Sequence, residues 1–164
     1  MNRLEAIQKI LDEYIEKSDN PKKYFSHSYG VSNFCALLAA KRGADMEIAA
    51  VMGLLHDIYA VKEGTYKNHD ILGAKMTEEI LRSISSANAF SDKEINIISQ
   101  AILNHDARER KDGEYDEILK DADIICPYFT NLPNIESINS ITKIRLEKTL
   151  AELGLFNAPH TILK

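Results

Sequence analysis

Apolar residues recur along almost the whole of this chain at steps of three and four, the period of an α-helix. Leu4, Ile7, Leu11, Tyr14 and Ile15 mark a first helix, which Asn20-Pro21 interrupts. A second runs from about Lys22 to Arg42, with Tyr24, His27, Val31, Phe34, Cys35 and Leu38 on one face and Gly43 as its stop. Asp45 caps a third, through Ala49, Met52, Leu55 and His56. The stretch Tyr59 to Lys67 reads as a loop, after which Asn68 caps a helix carrying His69, Leu72, Gly73, Met76, Ile80 and Leu81. Ser91 and Glu94 form a capping box ahead of Ile95, Ile98, Ile102 and His105. After a charged loop, Arg108 to Gly113, a further helix starts near Glu114 and carries Leu119, Ala122, Asp123 and Cys126. Pro127 should end or kink it. A last helix runs from about Pro133 to Leu153 and stops at Gly154. No strand-like alternation exceeds four residues. The pattern predicts an all-α, single-domain helical bundle of about six to seven helices.

A chain of 164 residues with 45% hydrophobic residues can bury one core without staples. Its 25 acidic and 20 basic residues, net charge -5, argue against a surface that wraps nucleic acid, which needs clustered Lys and Arg. No nucleic-acid partner is expected. Cys35 and Cys126 sit among apolar residues and read as buried, reduced thiols. No run approaches 18 uncharged apolar residues, so no membrane association is expected and a cytoplasmic setting is the default. The oligomeric state is not encoded in any feature of the sequence.

The chain has five histidines, and His27, His56, His69 and His105 lie on apolar helix stripes or at helix ends rather than on solvated faces. One core imidazole is ordinary. Four on separate helices suggest a metal site built from side chains projecting into a bundle. His160, after Pro159, reads as surface. The densest point is His56-Asp57, which closes the apolar run Ile48 to Leu55. Adjacent helical residues point about 100° apart, so both reach one ion only at a helix end. Asp70 and Asp106 each follow a candidate histidine and either orient it or are solvated. Lys62, Lys67, Arg108 and Arg110 lie in loops expected to flank the site, where they either grip a phosphate or are solvated.

These segments resemble the HD superfamily of metal-dependent phosphohydrolases. His27-Ser28 with Val31, Gly53-Leu54-Leu55-His56-Asp57, His69 with Gly73-Ala74, Ala101-Ile102 with His105, and Asp121-Ala122-Asp123 occur in that family's order. The resemblance covers about Tyr24 to Tyr128. It implies a core of about residues 22–130, with 131–164 as a C-terminal helical extension packed on it. Lys143, Arg145 and Lys148 of that extension read as a solvated face. The resemblance further implies that His27, His56, Asp57 and Asp123 hold a principal divalent metal, with His56 and Asp57 central to catalysis. His69 and His105 match the extra histidines of members with a second metal, which Asp57 would bridge. Periodicity does not separate the two aspartates: Leu119 and Cys126 favour the face of Asp123, Ile118 and Ile125 that of Asp121. The family pattern selects Asp123, leaving Asp121 to support a ligand from behind.

The implied activity is hydrolysis of a small phosphate ester or anhydride, a nucleotide or dinucleotide, by metal-bound hydroxide. The metal is one of Mn, Fe, Mg, Zn, Ni or Co, without distinction, and two ions are expected. A helix start at His69 and an apolar face at His105 disfavour imidazolium, leaving the neutral, metal-binding ring. Two rival readings are a di-iron oxygenase of the same fold and a non-catalytic metal- or nucleotide-binding regulatory module.

Overall fold

The computed structural model describes residues 2–84, 89–130 and 138–155. Among them the chain forms eight helices and no strand: α1 (Arg3–Glu16), α2 (Pro21–Arg42), α3 (Met46–Leu55), α4 (Ile58–Glu63), α5 (His69–Ser83), α6 (Asp92–Asn104), α7 (Glu114–Thr130) and α8 (Ser140–Glu152). None is long and apolar enough to cross a membrane.

Helix α3 explains the arrangement. Every residue from Ile48 to Leu55 is buried, and a helix apolar all round must be surrounded. Helices α1, α2, α6 and α7 pack around it, α5 lies on α6 and α4, and α8 lies on α7. One apolar core runs through α1 to α7, from Ile7 and Leu11 through Leu54, Leu55 and Ile58 to Ile98, Ile102 and Leu119. A smaller cluster, Ile124, Ile125, Leu146 and Leu150, attaches α8 to α7. The backbones of α3 and α2 approach closely at Gly53, where an added Cβ would stand 2.7 Å from Ser32 Cα. Glycine there lets the two backbones close, which brings the facing ends of His27 and His56 together.

Local signals set most helix ends. Asn2, Asn20, Asp45, Ser91 and Asn139 each accept a backbone N–H from the first turn that follows, and Ser91–Glu94 forms the full capping box. Three expectations are corrected in whole or in part. Helix α4 (Ile58–Glu63) takes up the first part of the stretch from Tyr59 to Lys67 expected as a loop. Ile58 and Val61, one turn apart, are buried in the main core, and Gly64 in the left-handed region (φ 66°) ends the turn. Asn68 precedes α5 as expected but does not cap it with its side chain; it adopts the left-handed conformation itself (φ 55°). Pro127 does not end α7, which continues to Thr130. The ring lies close enough to the helix end that the loss is the one hydrogen bond the Asp123 carbonyl would receive. Helix α8 is described from Ser140; its expected start at 133–137 and the position of His160 lie outside the described residues.

Candidate metal centre

Each candidate ligand is delivered by a helix, and three of the four histidines by a helix end. His27 projects from the second turn of α2, His56 is the C-cap of α3, His69 the first residue of α5 and His105 the C-cap of α6. Asp57 occupies the break between α3 and α4, with φ -104° and ψ 16°. That break lets adjacent residues point the same way.

The six side chains fall into two groups. His27 Nε2 lies 3.2 Å from His56 Nε2, 3.6 Å from Asp57 Oδ2 and 3.3 Å from Asp123 Oδ1. His56 Nε2 lies 3.5 Å from Asp57 Oδ2 and 3.6 Å from Asp123 Oδ1. In the second group, His69 Nε2 lies 3.1 Å from His105 Nε2 and 3.3 Å from the other Asp57 oxygen, Oδ1, which is 3.9 Å from His105 Nε2. Asp57 therefore divides its carboxylate, one oxygen to each group. Donors bound to one ion at about 2.1 Å stand about 3.0–3.4 Å apart in octahedral or tetrahedral geometry, close to most of these separations.

The hydrogen bonds of the rings are more telling. His56 Nδ1 is 2.8 Å from Gly53 O, His69 Nδ1 2.8 Å from Tyr66 O and His105 Nδ1 2.6 Å from Ile102 O. A carbonyl only accepts, so each Nδ1 carries the proton. In the neutral ring Nε2 is then a bare lone pair. His69 and His105 aim two such lone pairs at each other across 3.1 Å. No hydrogen bond forms between two acceptors; a cation between them removes the repulsion. All three rings are braced from behind at Nδ1 in the manner of metal-ligating histidines, which leaves Nε2 facing the cluster.

The charges agree. Burial opposes protonation of His27, yet its hydrogen bond to Asp123 and the nearby Asp123 and Asp57 charges raise its pKa to about 10. Burial, the largest influence, pulls His56 down. Burial also opposes ionisation of Asp123, but His27, His56 and Arg108 hold its pKa far below the usual carboxylate range. The site thus favours a positive charge between these groups.

A cleft of about 780 Å³ opens onto the cluster, lined by His27, Asp57, His69, His105, Asp123 and Asp106, with Lys22, Lys23, Tyr66 and Arg108 around them. Of the four loop cations expected to flank the site, Arg108 alone does so, donating from Nη2 to Asp123 Oδ2 at 2.6 Å. Lys62 pairs with Glu63, and Arg110 with Asp112 and Asn104; these and Lys67 do not line the cleft. Asp70 does not line it either.

Two cations, Lys22 and Lys23, line the mouth of the cleft unexpectedly, and Lys23 Nζ lies 5.0 Å from the Tyr66 ring centre. Lys23 precedes His27 by one turn on the same helix face, a signal that could have found it. Asp106 puts its carboxylate oxygens 3.5 Å from His69 Nε2 and 3.7 Å from Nε2 of His105, the residue it follows in sequence.

Asp121 is the clearest departure. It faces away from the cluster and pairs with Arg42 at 2.7 Å and Arg145 at 2.9 Å. It touches no candidate ligand. Arg145, read as solvated, is 14% exposed and held by Asp121 and Glu117.

Comparison with known proteins finds a family match. The family model described as HD domain matches residues 24–127, well over half of the chain. Ribonuclease Y 1 of Pediococcus pentosaceus is 28% identical over 97 residues, 58% of this chain and 19% of that protein. Ribonuclease Y of Lawsonia intracellularis is 33% identical over 85 residues, 48% of this chain and 16% of that protein. The chain thus spans under a fifth of the length of these curated relatives. No solved structure matches significantly.

Proposed function

Because this chain belongs to the HD-domain family, we propose that it is a metal-dependent phosphohydrolase acting on a small phosphate ester or anhydride, a nucleotide or dinucleotide. The observation that carries the reading is the approach of His69 Nε2 and His105 Nε2 to 3.1 Å beside a carboxylate shared with a second group. His27, His56, Asp57 and Asp123 would hold one divalent ion. Asp57, His69 and His105 would hold another, with Asp106 adding a carboxylate. Divalent ions bound there supply Lewis acidity, which lowers the pKa of water and offsets phosphoryl charge.

The remaining residues position the substrate. Arg108 presents a guanidinium to the cleft beside Asp123, where it can grip a phosphoryl oxygen. Lys22 and Lys23 carry positive charge at the mouth. Tyr66 closes one wall and holds the His69 ring through its carbonyl. These cations offset the carboxylates that would otherwise repel a phosphate.

A second reading follows from the relatives' names. Proteins called ribonucleases act on RNA, so a phosphodiester within a nucleic acid is the alternative substrate for the same centre. The net charge of -5 favours the small substrate.

The test combines elemental analysis with hydrolysis assays over nucleotides, dinucleotides and short RNA, with and without chelator. Expected is hydrolysis of a small phosphorylated compound that chelator abolishes and added divalent metal restores. Cleavage of RNA alone would move the substrate to the second reading. Hydrolysis that survives chelation, or none at all, would remove the assignment.

A further inference from the structure

Helix α8 lies beyond the segment matched by the family, yet one of its side chains reaches the wall of the cleft. Arg145 Nε donates to the Arg108 carbonyl at 2.7 Å, and Nη2 donates to the Arg110 carbonyl at 3.3 Å. The same guanidinium is anchored from α7, by Asp121 Oδ1 at 2.9 Å and Glu117 Oε2 at 3.0 Å. A planar fork with five donors suits this task, since it satisfies two carbonyls and two carboxylates at once. The segment it grips carries Arg108, whose Nη2 sits 2.6 Å from Asp123 Oδ2. Arg108 Nε is buried without a hydrogen-bond partner, so the side chain's own contacts do not fully fix it. Its aim therefore depends on the backbone beneath it. The far end of the loop has a second hold, because Lys120 Nζ donates to the Arg110 carbonyl at 2.9 Å. At the Arg108 end the grip on the carbonyl is Arg145.

We propose that Arg145 is a positioning residue for the substrate phosphate. It fixes the Arg108 backbone, and through it the direction in which the Arg108 guanidinium points into the cleft. The C-terminal helix thereby contributes to substrate binding without touching substrate. This rests on the phosphohydrolase reading, in which Arg108 grips a phosphoryl oxygen.

The experiment titrates inorganic phosphate into Mn²⁺-loaded protein by calorimetry, with bound Mn²⁺ counted separately. Arg108→Gln should weaken phosphate binding at least about tenfold, and Arg145→Lys, which keeps the charge but loses the fork, about three- to tenfold. Mn²⁺ stoichiometry should be unchanged in Arg145→Lys. The double variant should bind no worse than Arg108→Gln alone, because two residues acting through one contact are not additive. Leu150→Ala loosens the apolar seam between α8 and α7 without touching the loop, and should keep phosphate affinity within about twofold of wild type. Wild-type phosphate affinity in Arg145→Lys, additive penalties in the double variant, or an equal loss in Leu150→Ala would each overturn the assignment. If the wild type binds no phosphate, the hydrolase reading fails first and this one with it.

Discussion

The two aspartates of α7 stand two residues apart and are both buried, but they face opposite surroundings. Asp123 meets imidazoles, and its carboxylate is divided between His27 and Arg108. Asp121 meets two arginines, Arg42 from α2 and Arg145 from α8. Two residues along a helix turn the side chain about 200°, so one helix presents a carboxylate to each of two polar centres. A buried carboxylate needs a compensating charge. On one side that charge is permanent and carried by the protein. On the other, Arg108 supplies a permanent charge to one carboxylate oxygen only, and at the second oxygen the histidines carry a proton or an ion. The first arrangement holds helices together; the second leaves room for exchange with solution.

The largest effect should come from the residue both metal groups share. Asp57→Ala should abolish metal-dependent phosphate release and lower occupancy at both positions. The loss should exceed the roughly 10–100-fold caused by removing a group behind a ligand. Retention of two ions by this variant, measured by elemental analysis, would break the two-group description.

The two aspartates themselves should then separate. Asp121→Asn leaves two partly buried guanidinium groups, each with one remaining carboxylate (Glu152 for Arg42, Glu117 for Arg145), and should cost about 1–3 kcal/mol in urea unfolding, while the metal count stays at wild-type level. Asp123→Asn should reverse the pattern, losing the ion held with His27 and His56 while the folded state stays populated. Identical profiles for the two variants would erase the distinction.

Gly53→Ala probes the packing that brings the histidines together. Its Cβ would meet Ser32 backbone at 2.7 Å, so α3 must move off α2. A loss of about 1–3 kcal/mol is expected, with weaker metal binding at the His27–His56 group and little change at His69–His105.

A further effect is a pH dependence confined to the Asp123 side. In the metal-free protein the pKa of His27 is raised from 6.5 to about 10. Its contribution to stability is therefore complete below about pH 6.5 and is lost as pH rises towards 10. Denaturation midpoints of chelator-treated wild type should fall across that window, and those of His27→Gln should not. The arginines opposite Asp121 keep their charge throughout, so Asp121→Asn should leave this slope intact.

Much of the architecture was legible because helical period, caps and stops are local. Asp45, Ser91 and Gly43 announce their helix ends within four residues. The candidate ligands were legible through the order of the segments around His27, His56-Asp57, His69, His105 and Asp123. The failures have a common origin in information carried by distant chain segments. The start of the stretch from Tyr59 reads as loop because the six-residue helix Ile58–Glu63 is too short to show a period; burial of Ile58 and Val61 in the core decides its conformation. Asp121 and Asp123 were inseparable because apolar neighbours lie on both faces of α7, and what meets each face comes from α2, α8 and the histidine helices. Arg145 read as solvated because a cation on an exposed-looking stripe carries no mark of its partners. Lys23 was missed although its spacing from His27 was available.

The bonds from His56, His69 and His105 to carbonyls three residues earlier have a consequence for the timing of assembly. Each ring is braced by the backbone just before it, through an oxygen that belongs to the same stretch of chain. Its orientation is therefore settled when that segment forms, before any distant contact is made. The coordinating nitrogens need no guest to arrange them, and a chain stripped of ions should keep its helices. The slow event in filling such a site is then the shedding of water by the incoming ion, not a search by the side chains.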